Sequence, residues 1–148
     1  MDDVIRFTNA RFGEQEVPRS KVIEFANGIP GFEQHRLYAL FSDPESEPFQ
    51  WLLSTESPQL GFVLVNPMFI WPDYNPKISR EDLATLTIAK PDEMLLFAIV
   101  TLADDSTKVT ANLSGPIIVN STTLRARQLA LLDDRYSTKH RIMEALQA

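Results

Sequence analysis

A chain of 148 residues has the length of one domain around one core, and a domain of this size buries roughly 70% of the surface its unfolded chain exposes. Without cysteine it excludes disulfides, thiolate nucleophiles and thiolate-held metals, and Met1-Asp2-Asp3-Val4 lacks the positive-then-apolar order of a secretory signal, so a cytoplasmic location is expected. The formal charge of −6 is uneven: residues 1–103 hold 15 acids and 8 bases, residues 104–148 hold 5 acids and 6 bases, so most of the chain repels nucleic acid and attracts a basic protein surface.

In chain order, short runs rich in β-branched and aromatic residues alternate with turn residues, the pattern of an all-β sandwich or barrel. Strands are predicted near Val4–Phe7 and Lys21–Phe25. Asn27-Gly28-Ile29-Pro30-Gly31-Phe32 then makes two turns in quick succession: Gly28 supplies a positive φ, and Pro30-Gly31 suits the centre of a type II turn. Ile29 and Phe32 are expected to plug the core from this loop, leaving Glu33 outside. Further strands are predicted near Leu37–Phe41, Phe49–Ser54 and Phe62–Val65.

The stretch Asn66-Pro67-Met68-Phe69-Ile70-Trp71-Pro72-Asp73-Tyr74 carries two prolines, each of which removes a ladder donor, so it is no central strand. So apolar a segment outside a strand either covers a barrel end as a lid or offers anchors to a partner, and the two roles are compatible. A helix follows over Arg80–Leu86, with Ser79 capping the Asp82 amide, the Asp82 carboxylate reaching back, and Ile78 packing on Leu83. Met94–Leu102 does not alternate, so it is expected to be buried on both faces. Ala103–Thr107 is a polar turn that pairs it with Lys108–Leu113 as a hairpin. Strands at Ile117–Asn120 and Gln128–Leu132 and a short helix within Arg141–Leu146 complete the reading. No apolar run approaches the roughly 20 residues that span a bilayer as a helix, so no membrane segment is expected.

The supply of catalytic groups is thin. His35 and His140 stand far apart in the sequence and outside any metal-binding spacing, and no glycine-rich phosphate loop is present, so neither cofactor nor metal is expected. A triad of Ser137, His140 and Asp133 or Asp134 is conceivable, yet Ser137 lacks the glycines of a nucleophile elbow. Arg125, Arg127, Arg135, Lys139 and Arg141 are interleaved with Asp133, Asp134 and Glu144, which reads as a solvated face. An enzyme is not expected, and direct nucleic-acid binding is not expected.

Four segments together carry a resemblance: Ile23-Glu24-Phe25-Ala26-Asn27-Gly28-Ile29-Pro30-Gly31-Phe32-Glu33, Asn66-Pro67, Thr110-Ala111-Asn112-Leu113-Ser114-Gly115-Pro116-Ile117-Ile118-Val119-Asn120, and Tyr136-Ser137-Thr138-Lys139-His140. In that order and spacing the chain resembles the flagellar assembly factor FliW family over nearly its whole length. The resemblance implies an all-β fold, a small antiparallel β-barrel-like domain spanning residues 1–148 with one or two short helices. It also implies a partner switch, in which the protein binds the translational regulator CsrA away from its RNA site, relieves repression of flagellin mRNA, and is itself competed for by flagellin. An RNA-binding regulator is basic, so Glu14, Glu16, Glu24 and Glu33 are the residues expected to meet CsrA, with Asn27 of the double turn also among the protein-binding candidates. Flagellin, with amphipathic terminal helices, requires an apolar surface, for which Phe69, Ile70, Trp71 and Tyr74 are the candidates. The alternative from another class is a small barrel that encloses an apolar small molecule.

Overall fold

A computed structural model of the chain describes residues 3–147; Met1, Asp2 and Ala148 lie outside them. Eleven strands and three short α-helices are formed: β1 (Val4–Asn9), β2 (Gly13–Pro18), β3 (Ile23–Phe25), β4 (Leu37–Ser42), β5 (Gln50–Ser54), β6 (Gly61–Val65), α1 (Pro67–Ile70), α2 (Arg80–Thr85), β7 (Met94–Thr101), β8 (Thr110–Ala111), β9 (Ile117–Asn120), β10 (Arg125–Gln128), β11 (His140–Arg141) and α3 (Ile142–Gln147). β1 and β2 make a separate hairpin. The remaining strands run β11-β8-β7-β6-β5-β4-β3-β10-β9, and a further β7–β9 pairing closes seven of them into a barrel, with β8 and β11 as an appended flap. All pairs are antiparallel except β3 with β10, where Glu24 and Phe25 run alongside Arg125 and Ala126.

Closure depends on the length of β7. Its first half pairs with β9, from Met94–Asn120 to Phe97–Ile117, and its second half with β8, at Val100–Ala111 and Thr101–Thr110. Between these two ladders Asn112–Pro116 leaves the sheet. Asn112 Oδ1 accepts from the Gly115 N–H at 2.8 Å, and Gln128 Nε2 donates to the Gly115 carbonyl at 2.9 Å. A Cβ on Gly115 would come within 2.8 Å of Asn112 Nδ2 and 3.0 Å of Gln128 Nε2, so a larger residue here would displace the two amides that hold the excursion. The run Thr110–Asn120 is therefore the two ends of the closure plus the excursion that joins them.

Inside the barrel, Ile23, Phe25, Ile29, Tyr38, Leu52, Leu64, Phe97, Ile117, Val119 and Ala126 pack into one cluster. Phe25 and Tyr38 meet edge to face at 5.3 Å, both without solvent contact. The interior is filled by side chains, which corrects the alternative of a barrel enclosing an apolar small molecule. Much of the outer wall is also covered, in three patches. The β1–β2 hairpin lays Phe7 and Val17 over Ala39 and Leu53; the α2 region lays Leu86 and Ile88 over Ile118 and Leu129; and Ile70, Tyr74 and Ile142 cover Val63, Val65, Ala98 and Val100. Strands buried on both faces have no polar side to display, which is why β6 and most of β7 read as unbroken apolar runs. Leu95, near the start of β7, is the departure at 41% exposed.

Several expectations are corrected. Residues 66–75 cover the barrel wall over β6 and β7 rather than a barrel end, and Pro67–Ile70 is helical. Lys108–Leu113 shortens to the two residues of β8. The strand expected at Gln128–Leu132 lies at Arg125–Gln128, because register with β9 places Ala126 inside; Leu129 and Leu131 instead pack on the outer wall with Ile118. β2 and β11 were not expected, since Gly-Glu-Gln-Glu-Val-Pro and His-Arg lack strand-forming composition and exist through their partners β1 and β8.

Candidate protein-binding surfaces

The double turn forms as its residues dictate. Gly28 has φ +70° and donates to the Phe25 carbonyl at 2.9 Å; Gly31 has φ +90° inside a turn closed by Phe32 N–H to Ile29 C=O at 2.7 Å. Ile29 is buried, whereas Phe32 is 43% exposed and its ring stands in a T-shaped contact with Phe62, centroids 5.2 Å apart. Phe32 is thus a partial plug. Glu33 lies outside as expected, and both carboxylate oxygens accept from the Gly31 N–H at 3.0 Å. Glu24, Asn27 and Glu33 are exposed on β3 and the loop that follows it.

Glu14 and Glu16 stand on β2. Hairpin register places Ile5, Phe7 and Val17 on the packed face and Arg6, Thr8, Glu14 and Glu16 on the outward face. Arg6 Nε meets Glu16 Oε1 at 2.8 Å, so part of the expected acidity is neutralised within the hairpin. The four glutamates therefore occupy two elements, the hairpin and the β3–β4 region, rather than one loop.

The apolar candidates divide by helical geometry. Asn66 caps α1, its Oδ1 accepting from the Met68 N–H at 3.0 Å, and Pro67 occupies the first turn where no donor is missed. Pro67 and Ile70, three apart, turn inward; Met68 and Phe69 face out at 48% and 67% exposure. Phe69 lines a groove of about 440 Å³ with Ser42, Glu47, Pro48, Phe49 and Gln50. Ile70 and Tyr74 are buried against the barrel wall and Trp71 is half-buried, so of the expected apolar set Phe69 alone stands fully at the surface. Met68 is its missed neighbour, detectable only once the segment is known to be helical.

Trp71 and Tyr74 join a second aromatic group that the sequence reading left unassembled. Tyr74 and Tyr136 meet at 4.7 Å, Trp71 and His140 at 5.9 Å, and Tyr136 and His140 at 6.3 Å. The Tyr74 hydroxyl donates to the Leu113 carbonyl at 2.7 Å, and the Tyr136 hydroxyl accepts from the Asn75 N–H at 2.9 Å. Burial pushes the Tyr74 phenol well above its ordinary pKa. His140 Nε2 accepts from the Ser137 backbone N–H at 2.8 Å, and burial lowers its pKa. The only sequence signal for this group was the Tyr136–His140 spacing, with the aromatic segment that ends at Tyr74 lying 62 positions before Tyr136.

The conceivable triad is not assembled. His140 receives the Ser137 main-chain N–H rather than the hydroxyl, and Asp133 is held by Arg135, whose Nη2 lies 2.7 Å from Oδ2. Hydrogen bonds from Arg135 draw the Asp133 carboxyl down to about 2. The basic cluster is partly neutralised: Arg127 pairs with Asp82 at 3.2 Å, and Arg141 with Glu144 at 3.6 Å. No group of three or more potential metal ligands occurs among the described residues, and no described helix is long and apolar enough to cross a membrane.

Comparison with known proteins agrees with this architecture over most of the chain. The family profile described as FliW protein matches residues 6–142. The flagellar assembly factor FliW of Alkaliphilus metalliredigens is 36% identical over 137 residues, covering 92% of this chain and 85% of that protein. That of Treponema pallidum is 40% identical over 131 residues, covering 88% and 87%. A crystal structure of the flagellar assembly factor FliW superposes with a TM-score of 0.86 at 33% identity, covering 93% of this chain and 96% of that one. Matched over most of its length in sequence and in fold, the chain belongs to the FliW family.

Proposed function

We propose that the chain is a cytoplasmic flagellar assembly factor that works by protein binding and not by catalysis. It binds CsrA, relieves that regulator's repression of flagellin mRNA, and binds flagellin, so that flagellin synthesis follows export. The observation that carries this reading is the match, over most of both chains, to proteins named flagellar assembly factor FliW. Charge and packing support it. The filled barrel leaves function to the exterior, and residues 1–103 carry a net −7 that suits a basic RNA-binding protein. Once bound, the same negative field disfavours RNA on the complex. For flagellin, the outward Met68 and Phe69 and the groove beside them offer the apolar surface that an amphipathic helix needs.

Size-exclusion chromatography and calorimetry with CsrA and flagellin from the same organism test the proposal. A saturable complex is expected with each partner, together with release of flagellin leader RNA from CsrA as this chain is added. Binding to neither partner, or binding of the leader RNA by this chain alone, overturns it.

A further inference from the structure

The cleft of about 260 Å³ lined by Trp71, Asp73, Tyr74, Leu113, Arg135, Tyr136 and His140 has a chemistry that emerges once the engaged groups are set aside. Its volume is below the roughly 300 Å³ at the lower end of small-molecule pockets, which suits one side chain better than a ligand or cofactor. The Tyr74 hydroxyl is bound to Leu113 and the Tyr136 hydroxyl to Asn75. His140 holds its acceptor nitrogen against the Ser137 N–H, which requires a ring nitrogen without a proton there. Arg135 is engaged in a two-point contact with Asp133, donates to the Asn75 carbonyl at 3.2 Å and lies 5.0 Å over the Tyr136 ring. Arg135 therefore has no unpaired charge to offer an anion.

What remains is aromatic surface and the exposed carboxylate of Asp73, which has neither a hydrogen bond nor an ion pair within the described residues. Aromatic walls with one free carboxylate at the rim are the recognition chemistry of an organic cation. We infer that this cleft takes a lysine or arginine side chain of a basic protein partner, its stem against Trp71 and Tyr136 and its charge toward Asp73. The inference rests on the reading of the chain as a binder of a basic partner, and it assigns one point of contact to that partner.

Two measurements test it. Titration with the blocked tripeptides Ala-Arg-Ala and Ala-Lys-Ala, followed by amide and indole resonances, is expected to give saturable shifts at Trp71, Asp73 and His140; blocked Ala-Glu-Ala is expected to give none. Equal response to the acidic peptide, or no saturable response, overturns the inference. In calorimetry against CsrA, Asp73→Asn is expected to weaken binding about tenfold and Asp73→Lys further, without change in thermal midpoint since Asp73 is exposed. Unchanged affinity of both variants overturns the assignment of the cleft while leaving the function intact. Absence of binding by the unsubstituted chain removes the function instead, and the tripeptides still decide the cleft.

Discussion

Gly28 sits at φ +70°, where a Cβ would lie 2.5 Å from Glu33 Cα and 3.0 Å from the Glu33 carbonyl oxygen. Both obstacles are backbone, so neither can rotate away. Gly28→Ala combines this clash with a left-handed φ and is expected to cost more than about 2 kcal/mol in urea unfolding, with Gly13→Ala, at φ +75° and no atom nearby, costing less. Equal losses would show that φ alone matters at these positions. His140 makes a different prediction, one of pH. Its folded pKa is depressed by burial below 6.5, whereas unfolding frees it to titrate normally. The unfolded chain then binds more protons, so this contribution is complete above about pH 6.5 and is lost as pH falls toward the folded value. Thermal midpoints measured over this range are expected to decline with acid, and His140→Gln to flatten the decline; a slope unchanged in the variant would place the titration elsewhere. Asp133, with its carboxyl near 2, acts in a separate, more acidic window between its ordinary 3.8 and that value. The glycine turn was legible in the sequence because its dihedrals are local. The environment of His140 was not, since Trp71 reaches it across 69 positions of chain.

At the scale of elements, α2 shows where local signals suffice and where they stop. Ser79 Oγ accepts from the Asp82 N–H at 3.0 Å, as the sequence predicts. The Asp82 carboxylate, expected to reach back to the cap, instead pairs with Arg127, which also donates to Thr85 Oγ1 at 3.1 Å. A long-range cation displaced the local bond, and the six-residue helix is tied to β10 as a result. Ser79→Ala is expected to cost about 1 kcal/mol in denaturant titrations, because so short a helix has no further turns to absorb the loss. A negligible effect would mean that packing of Leu83, Leu86 and Ile88 holds the segment alone. The same division explains β2 and β11. Their own residues argue against strands, and only pairing with β1 and β8 makes them, so no local reading finds them. The tail helix was legible from its apolar spacing, and Ile142, 2% exposed, docks it.

For the whole molecule, a filled barrel with much of its outer wall covered leaves, besides the cleft at Asp73, two kinds of exterior. One is acidic and lies on the hairpin and the β3–β4 region; the other is apolar and lies on α1 beside the groove of Phe49 and Phe69. Composition revealed the first, since charge can be counted. It could not separate Phe69 from Ile70, because that needs the direction in which a four-residue helix turns. If the two exteriors serve different partners, their binding should differ in physical signature. Attraction between exposed charges is screened within about 8 Å at physiological salt, whereas apolar contact is not weakened by added salt. Affinity for CsrA is therefore expected to fall severalfold or more as sodium chloride is raised, and affinity for flagellin to hold. Phe69→Ser is expected to weaken flagellin binding by about tenfold with little effect on CsrA. Because Phe69 is 67% exposed, its thermal midpoint should match that of the unsubstituted chain, so lost affinity could not be ascribed to lost folding. Identical salt dependence for the two partners, or equal losses of both in Phe69→Ser, would mean that one surface serves both, and the separation into acidic and apolar exteriors would have no functional meaning.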